Sequence, residues 1–354
     1  EPDLVAELGR RLRKSDPSAL ALFCSYRSPQ QQQLSAALAA GDATSRLIEE
    51  QIVQPRLRQG LIAKRLKPAT PIDASSAIVA HQYEVHPYPA WIAEPAAPPM
   101  LPPAVLEALG PGGSEVVRSV LVAGCGTGQQ AFAAASAWPR ASILAIDLSR
   151  TSLAYAIDKA DSFPHCRIQF ALADLHSADS FGRFDVIEAF GVLHHLANPQ
   201  LGLTALANAL NERGLIGIGL YSAAARQELA EIRQRYGRDV AVSDEEVRRF
   251  RSWALTRHDF PDFLYAPDFY SLGGCRDLFF HVRERSYTLE EIATLLDLSG
   301  LRLVALQPPP RAQRRLGSSM PGPTDLAGWS AAERSHPKLF INMYELWVQR
   351  VGNE

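Results

Sequence analysis

The chain has 354 residues and 38.8 kDa, room for two domains or for one large domain with additions, and its 47% apolar and 21% charged residues exclude a wholly disordered protein. Thirty-six Lys+Arg against 38 Asp+Glu leave a formal net charge of −2, which argues against a nucleic-acid backbone as the main partner. The cysteines at 24, 125, 166 and 275 are too far apart for a C-x-x-C pair, so no metal is expected, and their use fits a reduced, cytoplasmic protein.

No run of 18 uncharged apolar residues suggests a membrane span. The chain begins at Glu1 rather than Met, so trimming or processing upstream is expected. Residues 1–70 read as a helical region, rich in Ala, Leu, Gln and Arg, with apolar residues at helical spacing such as Leu34 and Leu38. Residues 71–115 carry Pro71, Pro87, Pro89, Pro95, Pro98, Pro99, Pro102 and Pro103, a linker or a lid. Within it, YEVHPYPAW at 83–91 holds Tyr83, Tyr88 and Trp91 between prolines, poor material for a helix or a strand.

Residues 116–222 alternate short apolar runs with helical stretches, the rhythm of a parallel sheet. Strands are expected at 117–122, 142–146, 167–172, 184–189 and 215–220, and helices near 128–138, 150–160 and 200–211, with Gly214 at a helix C-cap. Residues 223–285 read as a helical insertion or cap, with a capping box at Ser243-Asp-Glu-Glu246. Residues 286–354 read as a helix opened by Thr288-Leu-Glu-Glu291, a strand at 301–307, a long polar loop at 308–337, and a last strand at 342–349.

Chemistry enters at VAGCGTG, 122–128. A strand runs straight into a glycine turn that a helix follows, and glycine lets both the turn and a ligand come close. Asp147 ends the second strand, 19 residues after Gly128, where an acid can accept both ribose hydroxyls of an adenosine; a helix N-terminal acid is the plainer alternative.

The G-x-G-x-G spacing resembles motif I of the class I S-adenosylmethionine-dependent methyltransferases. LADL at 172–175, FDVIEAFGVLHHL at 184–196 and NERGLIGI at 211–218 are similar to that family's later segments, in order. The flanks at 83–91, at YSLGGCRDLFFH (270–281) and at MYELW (343–347) resemble bacterial methyltransferases often joined to tetratricopeptide repeats, and no 34-residue repeat is visible here. The Y-x-x-x-P-Y-P segment is also similar to one in bacterial protein-lysine methyltransferases.

The resemblance implies a doubly wound, mostly parallel Rossmann-like α/β sheet with an antiparallel last strand, and the cofactor S-adenosylmethionine, released as S-adenosylhomocysteine. It also implies cofactor contacts at Gly124, Cys125, Gly126, Thr127, Gly128, Asp147, Leu148, Asp174, Leu175, Ala189, Phe190, Gly191 and Tyr83, with Asp174 on the adenine amino group and Leu175 on its ring.

Methyl transfer asks mainly for positioning and a dry site, with a base for an N or O acceptor. His281, paired at helical spacing with Asp277, His195 and Tyr88 are the candidate catalytic residues; Trp91, Arg276 and Tyr221 are candidate acceptor contacts, in a pocket expected between 83–91 and 270–285. Glu188 reads as a hydrogen-bond acceptor near the sheet edge, and of Tyr344 and Trp347, three apart, at most one is expected to point inward. The acceptor reads as a protein side chain or, alternatively, a small molecule; a non-catalytic cofactor-binding scaffold is the other class.

Overall fold

The computed structural model describes residues 54–89, 91, 101–237, 243–257, 266–341 and 343–352. The expected helices before residue 54 lie outside the described residues; Gln54–Arg65 is helical. The chain divides into two compact units, 1–64 with 232–281, and 65–231 with 282–354.

The larger unit is a seven-stranded sheet. Its strands are β1 (Ser119–Ala123), β2 (Ser142–Asp147), β3 (Ile168–Leu172), β4 (Phe184–Phe190), β5 (Leu210–Leu220), β6 (Leu301–Gln307) and β7 (Tyr344–Arg350), in the order β3-β2-β1-β4-β5-β7-β6. Strands β1 to β5 pair in parallel, and β7 runs antiparallel to both β5 and β6. This is the doubly wound sheet expected from the sequence.

Strands covered on both faces are apolar on both, which is why β1 is a continuous run with Val120, Leu121 and Val122 buried. Leu121, Ile187, Ile216 and Leu346 face a core that includes Leu203 and Leu206 of the helix Pro199–Asn208 and Ile292 of the helix Leu289–Leu298. Val120, Val122, Val186 and Trp347 face the other core, with Ala131 of the helix Gln129–Ala137 and Val105 of the helix Pro103–Leu109. Tyr344 and Trp347 are therefore both buried, one in each core, because β7 is covered on both faces; the expectation that at most one points inward does not hold.

Two further expectations are corrected. Strand β5 begins at Leu210, so Gly214 lies inside it and Ala209 is the C-cap of the preceding helix. A Cβ on Gly214 would stand 2.9 Å from the carbonyl oxygen of Phe184, so a register irregularity near Phe184, not a helix end, demands the glycine. The supposed loop at 308–337 contains the helices Pro310–Leu316 and Leu326–Ser335. Proline at a helix's first turn loses no hydrogen bond, and Asp325 caps the second helix through the Gly328 N–H at 2.8 Å.

The smaller unit contains the helices Asp244–Ala254 and Leu272–Phe280 around an aromatic core, where Phe250 lies 4.7 Å from Phe279 and 5.0 Å from Tyr236 between ring centres. Ser243 caps the first helix by accepting from the Glu246 N–H.

Candidate functional site

The glycine turn leaves β1 with Gly124, Gly126 and Gly128 all in the left-handed region, at φ of 71°, 52° and 90°. Their missing side chains are filled by neighbours. A Cβ on Gly124 would come within 2.7 Å of Val192, one on Gly126 within 2.9 Å of the Tyr88 carbonyl, and one on Gly128 within 2.7 Å of Ala156. Gly128 thus brings the helix it caps, Gln129–Ala137, against the helix Arg150–Ala160.

Asp147 is tied to this turn. Its Oδ2 accepts from the Gly126 N–H at 2.8 Å and its Oδ1 from the Ser149 N–H at 2.8 Å, while the N–H groups of Gly124 and Cys125 both donate to the Ile146 carbonyl. Burial pushes the Asp147 carboxyl up, against the opposing pull of these N–H bonds. A carboxylate has about four acceptor positions, so about two remain for hydroxyl groups. Half-buried Leu148 follows. Cys125 is buried, and burial together with the charge of Asp147 holds its thiol well above the ordinary range, which makes it inert as a nucleophile.

Tyr88, Pro89 and Trp91 lie against the same turn. Thr127 Oγ1 donates to the Pro89 carbonyl at 2.5 Å, and Trp91 Nε1 donates to the Thr127 carbonyl at 3.0 Å. The Trp91 ring is buried beside Phe132 (5.3 Å), Tyr155 (6.1 Å) and Phe163 (6.2 Å), and Tyr155 OH donates to its carbonyl. Trp91 is consequently an anchor for this segment, not the acceptor contact expected from the sequence. Glu84, which sequence reasoning missed, accepts from Ser149 Oγ and the Thr151 N–H at 3.1 Å and so binds the start of the Arg150–Ala160 helix. Tyr83 meets His195 edge-on at 6.4 Å, and Tyr88 is half-buried with its carbonyl over Gly126.

Beyond β3, Asp174 is buried and caps the turn Leu175–Phe181. Its Oδ1 accepts from the His176 N–H at 3.0 Å and lies 2.7 Å from His176 Nδ1, and its Oδ2 accepts from the Asp73 N–H at 3.2 Å. Burial pushes its carboxyl up, but the bonds from His176 outweigh that and hold it below the usual value. Leu175 is buried in the core. Neither Asp73 nor His176 carried a signal in the sequence, since both reach Asp174 through the fold or through a cap.

At the end of β4, Ala189 is buried, Phe190 is half-buried, and Gly191 is left-handed (φ 76°) with nothing within 4 Å of where a Cβ would stand. Glu188 accepts from Trp138 Nε1 at 2.8 Å and Gln130 Nε2 at 3.0 Å. His194 is buried and stacks on Tyr221 at 3.9 Å, and the Arg226 guanidinium lies 3.5 Å from the same ring centre. Two flat groups this close occupy opposite faces, so Tyr221 is held between them. His195 Nδ1 is 2.8 Å from the Arg283 carbonyl; because a carbonyl only accepts, Nδ1 carries the proton, and in the neutral ring Nε2 is the basic nitrogen.

The candidates of the smaller unit differ from expectation. Arg276 Nη2 pairs with Asp244 Oδ1 at 3.0 Å, a structural contact between two helices. His281 lies past the end of the Leu272–Phe280 helix, with φ −62° and ψ 132°, so the one-face helical argument for pairing it with Asp277 does not apply. Both residues are buried.

Residues 121–216, from β1 into β5, match the family described as methyltransferase domain. These residues form a methyltransferase domain. An uncharacterised protein of Synechococcus sp. is 30% identical to this chain over 226 residues, 56% of this chain and 51% of the relative. A malonyl-[acyl-carrier protein] O-methyltransferase of Anoxybacillus flavithermus is 26% identical over 150 residues, 40% of this chain and 55% of the relative. The chain thus spans about half the length of the curated relatives it matches. Among solved structures, PKMT2 from Rickettsia typhi superposes with a TM-score of 0.51 at 15% identity, over 72% of this chain and 55% of that one, a likeness of fold.

The residues present fit the cofactor of this methyltransferase domain. Asp147 keeps acceptor positions for the ribose, and Gly191 opens onto space a side chain would fill. When bound, S-adenosylmethionine supplies a methyl group carried on a sulfonium. Among the described residues no group of three His, Cys, Asp or Glu is placed to hold a metal ion, and no helix is long and apolar enough to cross a membrane.

Proposed function

We propose that this chain transfers a methyl group from S-adenosylmethionine to a nitrogen or oxygen nucleophile. The observation that carries the reading is the junction of Asp147 with Gly126, which places a carboxylate with spare acceptor positions against a left-handed glycine turn at the carboxyl ends of parallel strands. In this reading Asp147 binds the ribose, Leu148, Asp174 and Leu175 lie at the adenine end, and Gly124, Cys125, Gly126, Thr127 and Gly128 surround the amino-acid end. Ala189, Phe190, Gly191 and Tyr83 complete the cofactor wall, and His195 orders the corner beneath it.

The acceptor is proposed to be a protein side chain, with a small molecule as the second reading; similarity to the malonyl-[acyl-carrier protein] O-methyltransferase favours the second. Calorimetry with S-adenosylmethionine and S-adenosylhomocysteine tests the first step: both should bind, and absence of binding overturns the reading. Incubating the protein and methyl-labelled cofactor with a cell lysate, then separating the label by size, distinguishes the acceptors. Label that stays in macromolecules after thioester cleavage supports the protein side chain, and label in the small fraction, before or after that cleavage, supports the alternative.

A further inference from the structure

Strand β7 brings one more carboxylate to the cofactor end of the sheet. Ala123 pairs with Ile146, and Phe190 with Gly219, which pairs in turn with Glu345. Continuing β1 to Gly124, one residue past its register with β2 and two past its register with β4, puts Asp147, Phe190, Gly219 and Glu345 in a single row across the carboxyl-end edge. Directly paired residues point to the same face, so Glu345 shares its face with Phe190 and with Trp347, two residues along its strand. Four strand spacings separate Asp147 from Glu345, about 19 Å between backbones, and two separate Phe190 from Glu345, about 10 Å.

The strand between is glycine at both positions on this face. At Gly217 the Phe190 ring has moved into the vacant place, where a Cβ would meet it at 2.7 Å; at Gly219 the Met343 side chain fills it, its sulfur lying where a Cβ would stand, with the Gly191 N–H nitrogen 3.1 Å from that point. No β5 side chain therefore separates Glu345 from the end of β4; the flexible Met343 thioether, two residues before Glu345, lies over Gly219 between them. Glu345 is half-buried, and its carboxylate has no hydrogen bond or ion pair among the described residues. The other acids here are engaged: Glu188 by Trp138 and Gln130, Asp147 by the glycine turn, and Glu333 by Ser222 and Tyr344. Burial alone pushes the Glu345 carboxyl up, with no neighbouring cation or donor to offset it. A half-buried, unpartnered carboxylate at the open end of a sheet costs stability unless something else binds there.

We propose that Glu345 is an acceptor-binding residue, which holds the N–H or O–H of the methyl acceptor beside the cofactor's methyl position and takes its proton. The acceptor's N–H or O–H bond breaks, its electron pair stays on the nucleophile, and the proton passes to a carboxylate oxygen of Glu345. An ionised Glu345 favours an amine or hydroxyl acceptor and repels a carboxylate. The proposal rests on the cofactor reading above.

The test needs no known acceptor. An analogue of S-adenosylhomocysteine with a primary ammonium in place of the transferred methyl carries a positive N–H donor at the methyl position. Calorimetry compares this analogue with S-adenosylhomocysteine on the wild type, Glu345→Gln and Glu345→Ala. Both variants should bind S-adenosylhomocysteine as the wild type does, while the analogue loses roughly ten- to a hundredfold in affinity relative to it. An unchanged ratio in both variants overturns the proposal and leaves the cofactor site intact. Failure of the wild type to bind either compound overturns the cofactor reading itself, and the proposal with it.

Discussion

The backbone N–H of Gly126 donates to the carboxylate of Asp147 at 2.8 Å, so the turn after β1 and the end of β2 form one structure. The acid positions the loop, and in the proposed function the same carboxylate binds the ribose. Replacing Asp147 with Ala should weaken S-adenosylhomocysteine binding by roughly 2–4 kcal/mol, as for the loss of charge-assisted hydrogen bonds. Calorimetry on this variant and on Asp147→Asn checks it; undiminished affinity in both would remove the ribose role.

Gly191 and Gly182 are both left-handed glycines with nothing within 4 Å of a would-be Cβ. Alanine at either should cost about 1–2 kcal/mol in backbone strain. Only Gly191→Ala should also weaken cofactor binding, because only its Cβ enters the cofactor end of the sheet. Thermal unfolding and calorimetry on both variants separate strain from occupancy.

The Asp174–His176 pair makes stability depend on pH. Its bond to Asp174 raises the His176 pKa above the ordinary 6.5, so its stabilisation is complete below that value and is lost as the pH rises through the raised one. Asp174 is held below its ordinary 3.8, so its share is complete above that value and is lost as the pH falls through the lowered one. His176→Gln should therefore cost about 1 kcal/mol between these limits, and less as the pH climbs beyond 6.5. Unfolding midpoints of both proteins across pH 4 to 9, a range spanning roughly both limits, would show the gap narrowing at the alkaline end.

Arg276 is a test of structure against substrate contact. Its partner Asp244 is 42% exposed, so Arg276→Ala should destabilise the helical unit by only about 1–2 kcal/mol. S-adenosylhomocysteine affinity should be unchanged. A selective loss of methyl transfer at unchanged stability would instead restore Arg276 as an acceptor contact.

Much of the fold was legible before the structure. The parallel strands announce themselves because a strand covered on both faces has to be apolar throughout, as in β1 and in the second half of β5. The glycine turn and Asp147 were legible because left-handed backbone and a strand-end acid leave residue-type signatures. The helices within 308–337 were not, because proline signals a break and a helix's first turn equally well.

The sequence by itself determined the order of the strands along the chain, the place of the cofactor turn, and the acid that partners it, since each depends on neighbours within a few residues. Only the tertiary structure decided which side chains are spent on packing. Trp91 passes from acceptor wall to anchor because its indole N–H reaches Thr127, 36 residues on. Arg276, a candidate acceptor contact by sequence, pairs with Asp244, 32 residues before it and brought close by helix packing. Glu345 gains its meaning from the register of β7 on β5, which sets it beside Gly219, more than a hundred residues away. Contacts across such separations depend on how layers pack, and no local pattern of residues encodes them.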